Sequence, residues 1–239
     1  MYYSSAGKGQ TVVLIHGAAL TSESNWSNQI PIFSKRYRVI AMDLRSHGRT
    51  NNPANSLDVN IMAEDVVKLL EKLDLGKVHV IGFSLGGVIA IRVVLKHPKL
   101  VKTLTICSSG YYVSDENLSF FAKSMDSNKM EDTNSEKAAF YRWIHKKGGT
   151  EHWIKLINQI LKAPKNEIAL KTLSGIDVPT LIIVGDRDQY GFTKQAMEMY
   201  DVIKNAELAI FPNTDHLVPQ KKSSLFNKTV LNFLQRRGD

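Results

Sequence analysis

The sequence has little cysteine and no long apolar run. Cys107 is its single cysteine among 239 residues, so the chain can form neither an internal disulfide nor a cysteine-based metal site. No segment approaches the ~18 uninterrupted apolar residues of a membrane helix, and the first residues lack the basic and then apolar composition of a secretory signal. We therefore expect a cytoplasmic protein that does not contact a membrane.

The chain also lacks a concentrated basic region, although its formal net charge is +8. Residues 1–110 carry most of the surplus, with 13 Lys and Arg against 7 Asp and Glu. A nucleic-acid interface would show a basic stripe in a recognition-helix or aromatic context, and none stands out. We interpret the charge as solvated surface and expect no nucleic-acid partner.

Short runs rich in Val and Ile alternate along the chain with longer amphipathic segments. This alternation is typical of a parallel sheet covered by helices, and it predicts an α/β fold. The predicted strands are 11–16, 38–43, 78–83, 100–107, 180–184 and 206–211. The predicted helices are 58–73, 85–96, 193–204 and 221–236.

The alternation stops over residues 111–177, where aromatic and charged residues interleave. A helical set of this size has little core of its own. We therefore predict a helical cap insertion at 111–177 over a core formed by residues 1–110 and 178–239. The aromatic residues of this segment either line a pocket or pack the cap onto the core, and the sequence leaves both interpretations open.

The segment GFSLG at residues 82–86 carries the clearest chemical signal. It lies between a predicted strand and a predicted helix, which is the context that the G-x-S-x-G nucleophile elbow requires. The elbow holds its serine in a strained conformation, and side chains at Gly82 and Gly86 would collide with neighbouring backbone. This pattern predicts that Ser84 is a nucleophile at the carboxyl edge of the sheet.

A serine hydroxyl needs a general base, and the base needs a carboxylate that orients it. Asp186 and Asp188 follow one predicted strand, and His216 follows the next. These are the loops in which open α/β sheets place reactive groups. We predict His216 as the base, either aspartate as its partner, and no metal or other cofactor.

Acyl hydrolysis also needs hydrogen-bond donors for the oxyanion that develops on the carbonyl oxygen. The HGAA segment at residues 16–19 follows a predicted strand, and Leu85 begins the helix after Ser84. We predict that the backbone amides of Ala18 and Leu85 form the oxyanion hole. His16 is interpreted as structural, bonded to loop backbone.

Together, the blocks VVLIHG, VIGFSLGG, GDRD and DH resemble the α/β-hydrolase superfamily over nearly the whole chain. The resemblance implies an acid at the last position of G-x-x-D, which favours Asp188 over Asp186. The block DLRSHGRT departs from the family pattern, with Ser46 in place of glycine and Thr50 in place of serine. Both changes lie in a loop, where they could alter the floor of the pocket.

The same resemblance carries an expectation about the sheet. The run Tyr2–Tyr3 looks like the family's second strand, which leaves no residues for the first. We therefore expect the α/β-hydrolase fold with about seven mostly parallel strands and its usual first edge strand missing.

The resemblance implies several possible reactions, and the residue type at the elbow reduces their number. The resemblance implies that dehalogenases and epoxide hydrolases of this family have aspartate at the elbow, which differs from this chain. Ser84 is similar instead to the serine nucleophile of small carboxylesterases and of 3-oxoadipate enol-lactonase-like members. We expect hydrolysis of a small-molecule ester or lactone by a monomer or homodimer. Hydrolysis of a C–C bond, and a slow-turnover ligand-binding or signalling role, stay open as alternatives.

Overall fold

The computed structural model describes residues 1–126, 129–130, 136–165 and 167–238. Its centre is a seven-stranded sheet of order β1-β3-β2-β4-β5-β6-β7. Only β1 runs antiparallel to its neighbour, β3. This arrangement confirms the prediction of an α/β fold with about seven mostly parallel strands. The strands are β1 (Tyr3–Ala6), β2 (Thr11–Ile15), β3 (Arg38–Met42), β4 (Val78–Phe83), β5 (Val101–Cys107), β6 (Thr180–Gly185) and β7 (Ala206–Phe211).

Helices cover both faces of this sheet. None of the helices in the described ranges is long and apolar enough to cross a membrane. Three 3₁₀ turns, Pro98–Leu100, Lys146–Gly148 and Leu170–Gly175, connect some of the elements. The described helices are α1 (Ser22–Trp26), α2 (Ile30–Phe33), α3 (Val59–Lys72), α4 (Leu85–Lys96), α5 (Asp115–Ser124), α6 (Glu136–Ile144), α7 (His152–Lys162), α8 (Phe192–Val202), α9 (Val218–Lys221) and α10 (Ser223–Gly238).

Two apolar layers hold these helices on the sheet. Every residue of β2 and β4 is buried, as expected for central parallel strands with both faces covered. One layer packs α3, α4 and α8 on one face, and the other packs α1, α2 and α10 on the opposite face. Trp26 belongs to the second layer, where its fully buried ring packs against Phe83 and Phe226.

Local sequence explains the boundaries of the helix before the elbow. The Asp58 side chain accepts a hydrogen bond from the Asn60 amide at 2.7 Å and so caps α3. Buried Met62, Val66 and Leu70 then recur at helical spacing on the side that faces the sheet. The helix therefore begins and packs as its apolar pattern predicts.

Helices α5, α6 and α7 lie between β5 and β6 in the chain. They share a small apolar cluster that includes Met125, Ala138, Trp153 and Ile157, and this cluster also contains Ala19 from the loop after β2. The helical segment thus packs directly on a loop of the sheet edge. The division into a core and a cap at residues 111–177 stays a prediction.

Candidate active site

The turn between β4 and α4 places Ser84 in a strained conformation. Its φ and ψ are 52° and −119°, which is unusual for a residue with a side chain. A Cβ at Gly82 would lie 2.2 Å from the Gly86 carbonyl oxygen, and one at Gly86 would lie 2.1 Å from the Ile15 carbonyl oxygen. The turn can therefore form only because glycine occupies both positions.

The structure brings the predicted nucleophile, base and acid into one hydrogen-bonded chain. His216 Nε2 lies 3.0 Å from Ser84 Oγ, and His216 Nδ1 lies 2.9 Å from Asp188 Oδ2. The Asp188 side chain is fully buried, and that of His216 is 9% exposed. With Nδ1–H donating to the carboxylate, Nε2 accepts from the serine hydroxyl, which is the arrangement a general base requires.

The two candidate aspartates have different surroundings. Asp188 Oδ1 accepts a hydrogen bond from the Tyr190 amide at 2.9 Å, so both of its carboxylate oxygens are engaged. Asp186 is exposed, and its Oδ1 accepts from the Thr214 amide at 3.0 Å. Backbone hydrogen bonds from Thr214 and Asn213 lower the pKa of Asp186. The geometry joins Asp188, and not Asp186, to His216.

Three aromatic rings surround the imidazole of His216. Its ring centroid lies 5.1 Å from that of Phe83, 4.5 Å from that of Tyr190 and 5.7 Å from that of Phe192. These rings restrict the orientation of the imidazole, and the Asp188 carboxylate behind it is fully buried. No sequence motif had pointed to Tyr190 or Phe192.

The loop after β2 carries Ala18, whose backbone amide is one of the two predicted oxyanion-hole donors. Ala18 and Leu85 both line the cavity that contains Ser84. Within the described ranges, no hydrogen-bond acceptor is assigned to the amide of either residue. The Leu85 amide is also the first of α4, where the helix dipole favours negative charge.

His16 holds the peptide unit that carries the Ala18 amide. Its Nδ1–H donates to the Gly17 carbonyl oxygen at 2.8 Å, and its Nε2 accepts from the Leu44 amide at 2.9 Å. Burial lowers the pKa of His16 to about 4, so the ring is neutral at pH 7. As expected from the sequence, its bonds are to loop backbone.

The cavity in front of Ser84 has a volume of about 410 Å³ and lies between the sheet edge and the helical segment. Its wall is mostly apolar. From the sheet side it is lined by Leu57, Val59, Met62, Val88 and Phe192, and from the helical segment by Val113, Leu118, Phe121, Met125, Tyr141 and Ile160. A small molecule of this size and polarity can therefore reach the serine hydroxyl.

No metal centre is apparent at this site. His, Cys, Asp and Glu side chains in the described part of the chain form no group of three that could hold a metal ion.

Comparison with known proteins decides the family. The model of the alpha/beta hydrolase fold family matches residues 10–141, which is more than half of the chain. The chain belongs to the α/β-hydrolase fold family. This assignment confirms the family resemblance and the fold expected from the sequence.

Two curated relatives cover nearly the whole chain. The chain is 28% identical to a 2-hydroxy-6-oxo-6-(2'-aminophenyl)hexa-2,4-dienoic acid hydrolase of Metapseudomonas resinovorans, over 99% of the chain and 88% of that protein. It is 26% identical to the human serine hydrolase BPHL, over 98% of the chain and 83% of that protein. Both relatives carry the name of hydrolases.

A solved structure shows the same fold. A meta-cleavage product hydrolase from Pseudomonas fluorescens superposes with a TM-score of 0.83 at 21% identity, over 98% of this chain and 93% of that one. The α/β-hydrolase architecture therefore extends over nearly the full chain.

The two departures from the family block do not reach the cavity. Ser46 has a φ of 63°, a left-handed conformation that glycine adopts more readily, and its hydroxyl lies 3.3 Å from Gln159 Oε1 in α7. The Thr50 hydroxyl donates to the Asp43 carbonyl oxygen at 2.6 Å. The expectation that these residues alter the floor of the pocket is wrong, because neither lines it.

Arg92 and Arg187 also lie outside the cavity. Arg92 is buried in α4, where its Nη1 donates to the Val88 carbonyl oxygen at 3.0 Å. Arg187 is exposed on the loop after β6. Neither residue lines the cavity, so neither is placed to bind a ligand in it.

Proposed function

We propose that the protein is a serine hydrolase that cleaves a small carboxylic ester or lactone through an acyl-enzyme. The observation that carries this proposal is the continuous hydrogen-bonded chain from Ser84 through His216 to Asp188, which opens into an apolar cavity. A neutral imidazole that accepts from a serine hydroxyl and donates to a buried carboxylate is the arrangement that activates serine for acyl transfer.

The first half of the reaction forms the acyl-enzyme. Ser84 Oγ attacks the carbonyl carbon while His216 Nε2 takes the hydroxyl proton, and Asp188 stabilises the resulting imidazolium through its hydrogen bond to Nδ1. Collapse of the tetrahedral intermediate breaks the C–O bond to the alcohol. The leaving alkoxide takes the proton from His216, which returns to its neutral form.

The second half regenerates the enzyme. Water attacks the carbonyl carbon of the acyl-enzyme while His216 takes one of its protons. Collapse of the second intermediate releases the carboxylic acid, and Ser84 recovers its proton from His216. No redox partner or cofactor enters the balance.

The amides of Ala18 and Leu85 stabilise the oxyanion of both intermediates. Each such donor contributes about 3 to 4 kcal/mol when it is fixed before the reaction in a site from which water is excluded. The strained turn fixes Leu85, and the hydrogen bond from His16 to the Gly17 carbonyl fixes the peptide unit of the Ala18 amide.

The cavity argues for an apolar substrate of modest size. Its wall combines aliphatic and aromatic side chains from the sheet edge with others from residues 111–177, for which we propose the role of a cap. A cavity of about 410 Å³ lies at the lower end of the range typical of small-molecule sites. The acyl or alcohol part of the substrate is therefore expected to be an aliphatic chain or a single ring.

Steady-state hydrolysis of p-nitrophenyl esters with acyl chains of graded length tests the proposal. We expect turnover with a burst of nitrophenol equal to the enzyme concentration, and loss of both in Ser84→Ala. Ser174→Ala serves as the matched control, because Ser174 is exposed and its hydroxyl donates to the Lys171 carbonyl oxygen. Full activity of Ser84→Ala would refute the proposal.

Hydrolysis of a C–C bond is a second candidate. The observation that favours it is the 28% identity to a protein named as a dienoic acid hydrolase over 99% of this chain. A Ser84-dependent kcat/KM for a vinylogous diketone acid that exceeds that for every ester and lactone would favour this candidate. Negligible turnover of all substrates, with tight binding of a small molecule, would favour a ligand-binding role.

A further inference from the structure

Ala19, directly after the proposed oxyanion donor, has a conformation that residues with a side chain rarely adopt. Its φ is 57°, in the left-handed region, and the residue is almost fully buried. Its amide donates to His47 Nε2 at 3.2 Å, and its carbonyl oxygen lies 3.0 Å from His145 Nε2. Two imidazoles thus hold the two peptide units that flank this residue.

His145 reaches this loop from the helical segment between β5 and β6. It follows α6 and is completely buried. Its Nδ1 accepts a hydrogen bond from the Gly48 amide at 3.0 Å. Since Nδ1 accepts, Nε2 carries the proton and donates to the Ala19 carbonyl oxygen. One ring therefore joins the helical segment, the loop after β3 and the loop after β2.

Three successive peptide units of the loop are held in this way. The Gly17 carbonyl accepts from His16, the Ala19 amide donates to His47, and the Ala19 carbonyl accepts from His145. The Ala18 amide belongs to the first of these units, which His16 holds directly, and the next two bonds restrain the backbone that leads away from it. His145 is the member of this set that comes from residues 111–177.

We propose that His145 is a positioning residue of the oxyanion hole. Through Ala19 it supports His16 in fixing the direction of the Ala18 amide, so the hole is complete only while the helical segment is seated on the loop after β2. This inference rests on the proposed hydrolase function, and it assigns the helical segment a part in the reaction besides lining the cavity.

The chain offers matched variants. Asn at position 145 keeps an acceptor near the position of Nδ1 for the Gly48 amide but is too short to donate to Ala19, whereas Gln places an amide N–H near the position of Nε2. His152 serves as a control in the same segment, because its Nε2 contacts the Ser46 carbonyl oxygen at 2.7 Å and does not touch Ala19.

The test compares kcat and KM for an oxo ester and its thiono analogue, whose sulfur accepts hydrogen bonds poorly. In His145→Asn we expect kcat for the oxo ester to fall about 10-fold or more, since loss of a whole donor costs ~10²–10³. KM should change little, and the oxo-to-thiono ratio of kcat/KM should fall by the same factor as kcat. His145→Gln should restore most of the ratio, and His152→Asn should leave it unchanged.

Amide hydrogen exchange at residues 18–20 provides a second readout that needs no turnover. We expect faster exchange in His145→Asn than in wild type, His145→Gln or His152→Asn. An unchanged ratio and unchanged exchange in His145→Asn, or equal losses in His152→Asn, would overturn the inference while leaving the hydrolase proposal intact. Absence of wild-type ester turnover would refute the hydrolase proposal, and exchange would then decide whether His145 holds the loop.

Discussion

Buried neutral histidines should make the stability of this protein fall steeply in mild acid. Burial lowers the pKa of both His16 and His145 to about 4, and burial together with His16 and His145 lowers the pKa of His47 well below its usual value. Each ring accepts a hydrogen bond from a backbone amide, and protonation of the ring would abolish that bond. The folded state therefore resists protonation of all three.

The sign and size of the effect follow from these pKa values. An unfolded histidine titrates near pH 6.5, so between pH 6.5 and about 4 the unfolded state binds protons that the folded state does not. The stability that the neutral rings contribute is present above pH 6.5 and is lost as the pH falls through this window. From pH 7 to 5, His16 and His145 each contribute a loss of about 2 kcal/mol, so the two together lose about 4 kcal/mol. His47 adds to this loss in the same direction.

Urea unfolding at pH 7, 6 and 5, followed by tryptophan fluorescence, measures this loss. Most domains have about 5 to 15 kcal/mol of stability, so a loss of at least about 4 kcal/mol is large. His145→Gln removes one titrating ring and should reduce the loss by about 2 kcal/mol. A loss below about 1 kcal/mol in wild type, or an equal loss in His145→Gln, would refute the reasoning.

Two further predictions use matched pairs of variants. Asp188→Asn should lower kcat about 10⁴-fold, because it removes the carboxylate that orients His216, whereas Asp186→Asn should leave kcat nearly unchanged. Steady-state ester hydrolysis measures both values. Equal effects of the two substitutions would contradict the assignment of Asp188 as the acid. Gly86→Ala should destabilise the fold by more than about 3 kcal/mol, because the new Cβ meets the Ile15 carbonyl oxygen. At Gly175 a new Cβ meets no atom within 4 Å, so Gly175→Ala should destabilise the fold by less than about 1 kcal/mol. Thermal unfolding distinguishes these two glycine variants.

Local signals explain why the elbow could be predicted from the sequence. A glycine on each side of Ser84, a buried strand before it and an apolar helix after it all lie within 20 residues of one another. The predicted helix at 85–96 agrees with α4 at both ends. Since each feature acts over a few residues, the local sequence pattern was sufficient to predict the elbow.

The choice between Asp186 and Asp188 depended on contacts between distant parts of the chain. The two aspartates are two residues apart, and the local pattern left both open until the family resemblance favoured one. Their hydrogen-bond partners come from the approach of a segment 28 positions along the chain, where Asp186 meets the Thr214 amide and Asp188 meets His216. A sequence pattern carries no record of that approach.

The contribution of the helical segment was the least predictable part. Its aromatic residues divide between both interpretations, since Phe121 and Tyr141 line the cavity while Trp153 is buried against Tyr141. His145 gave no signal, because its two hydrogen bonds reach residues 97 and 126 positions away. Periodicity predicts helices, but it does not predict which side chain reaches another loop.

The central claim is that Ser84 forms the acyl-enzyme. Rapid acid quenching of the enzyme during turnover of a p-nitrophenyl ester, followed by intact-protein and peptide mass spectrometry, tests it directly. We predict a mass increase equal to the acyl group, located on the peptide that contains Ser84 and absent from Ser84→Ala. Ester turnover with no acylated species, or acylation at Cys107, Ser108 or Ser109, would contradict the account.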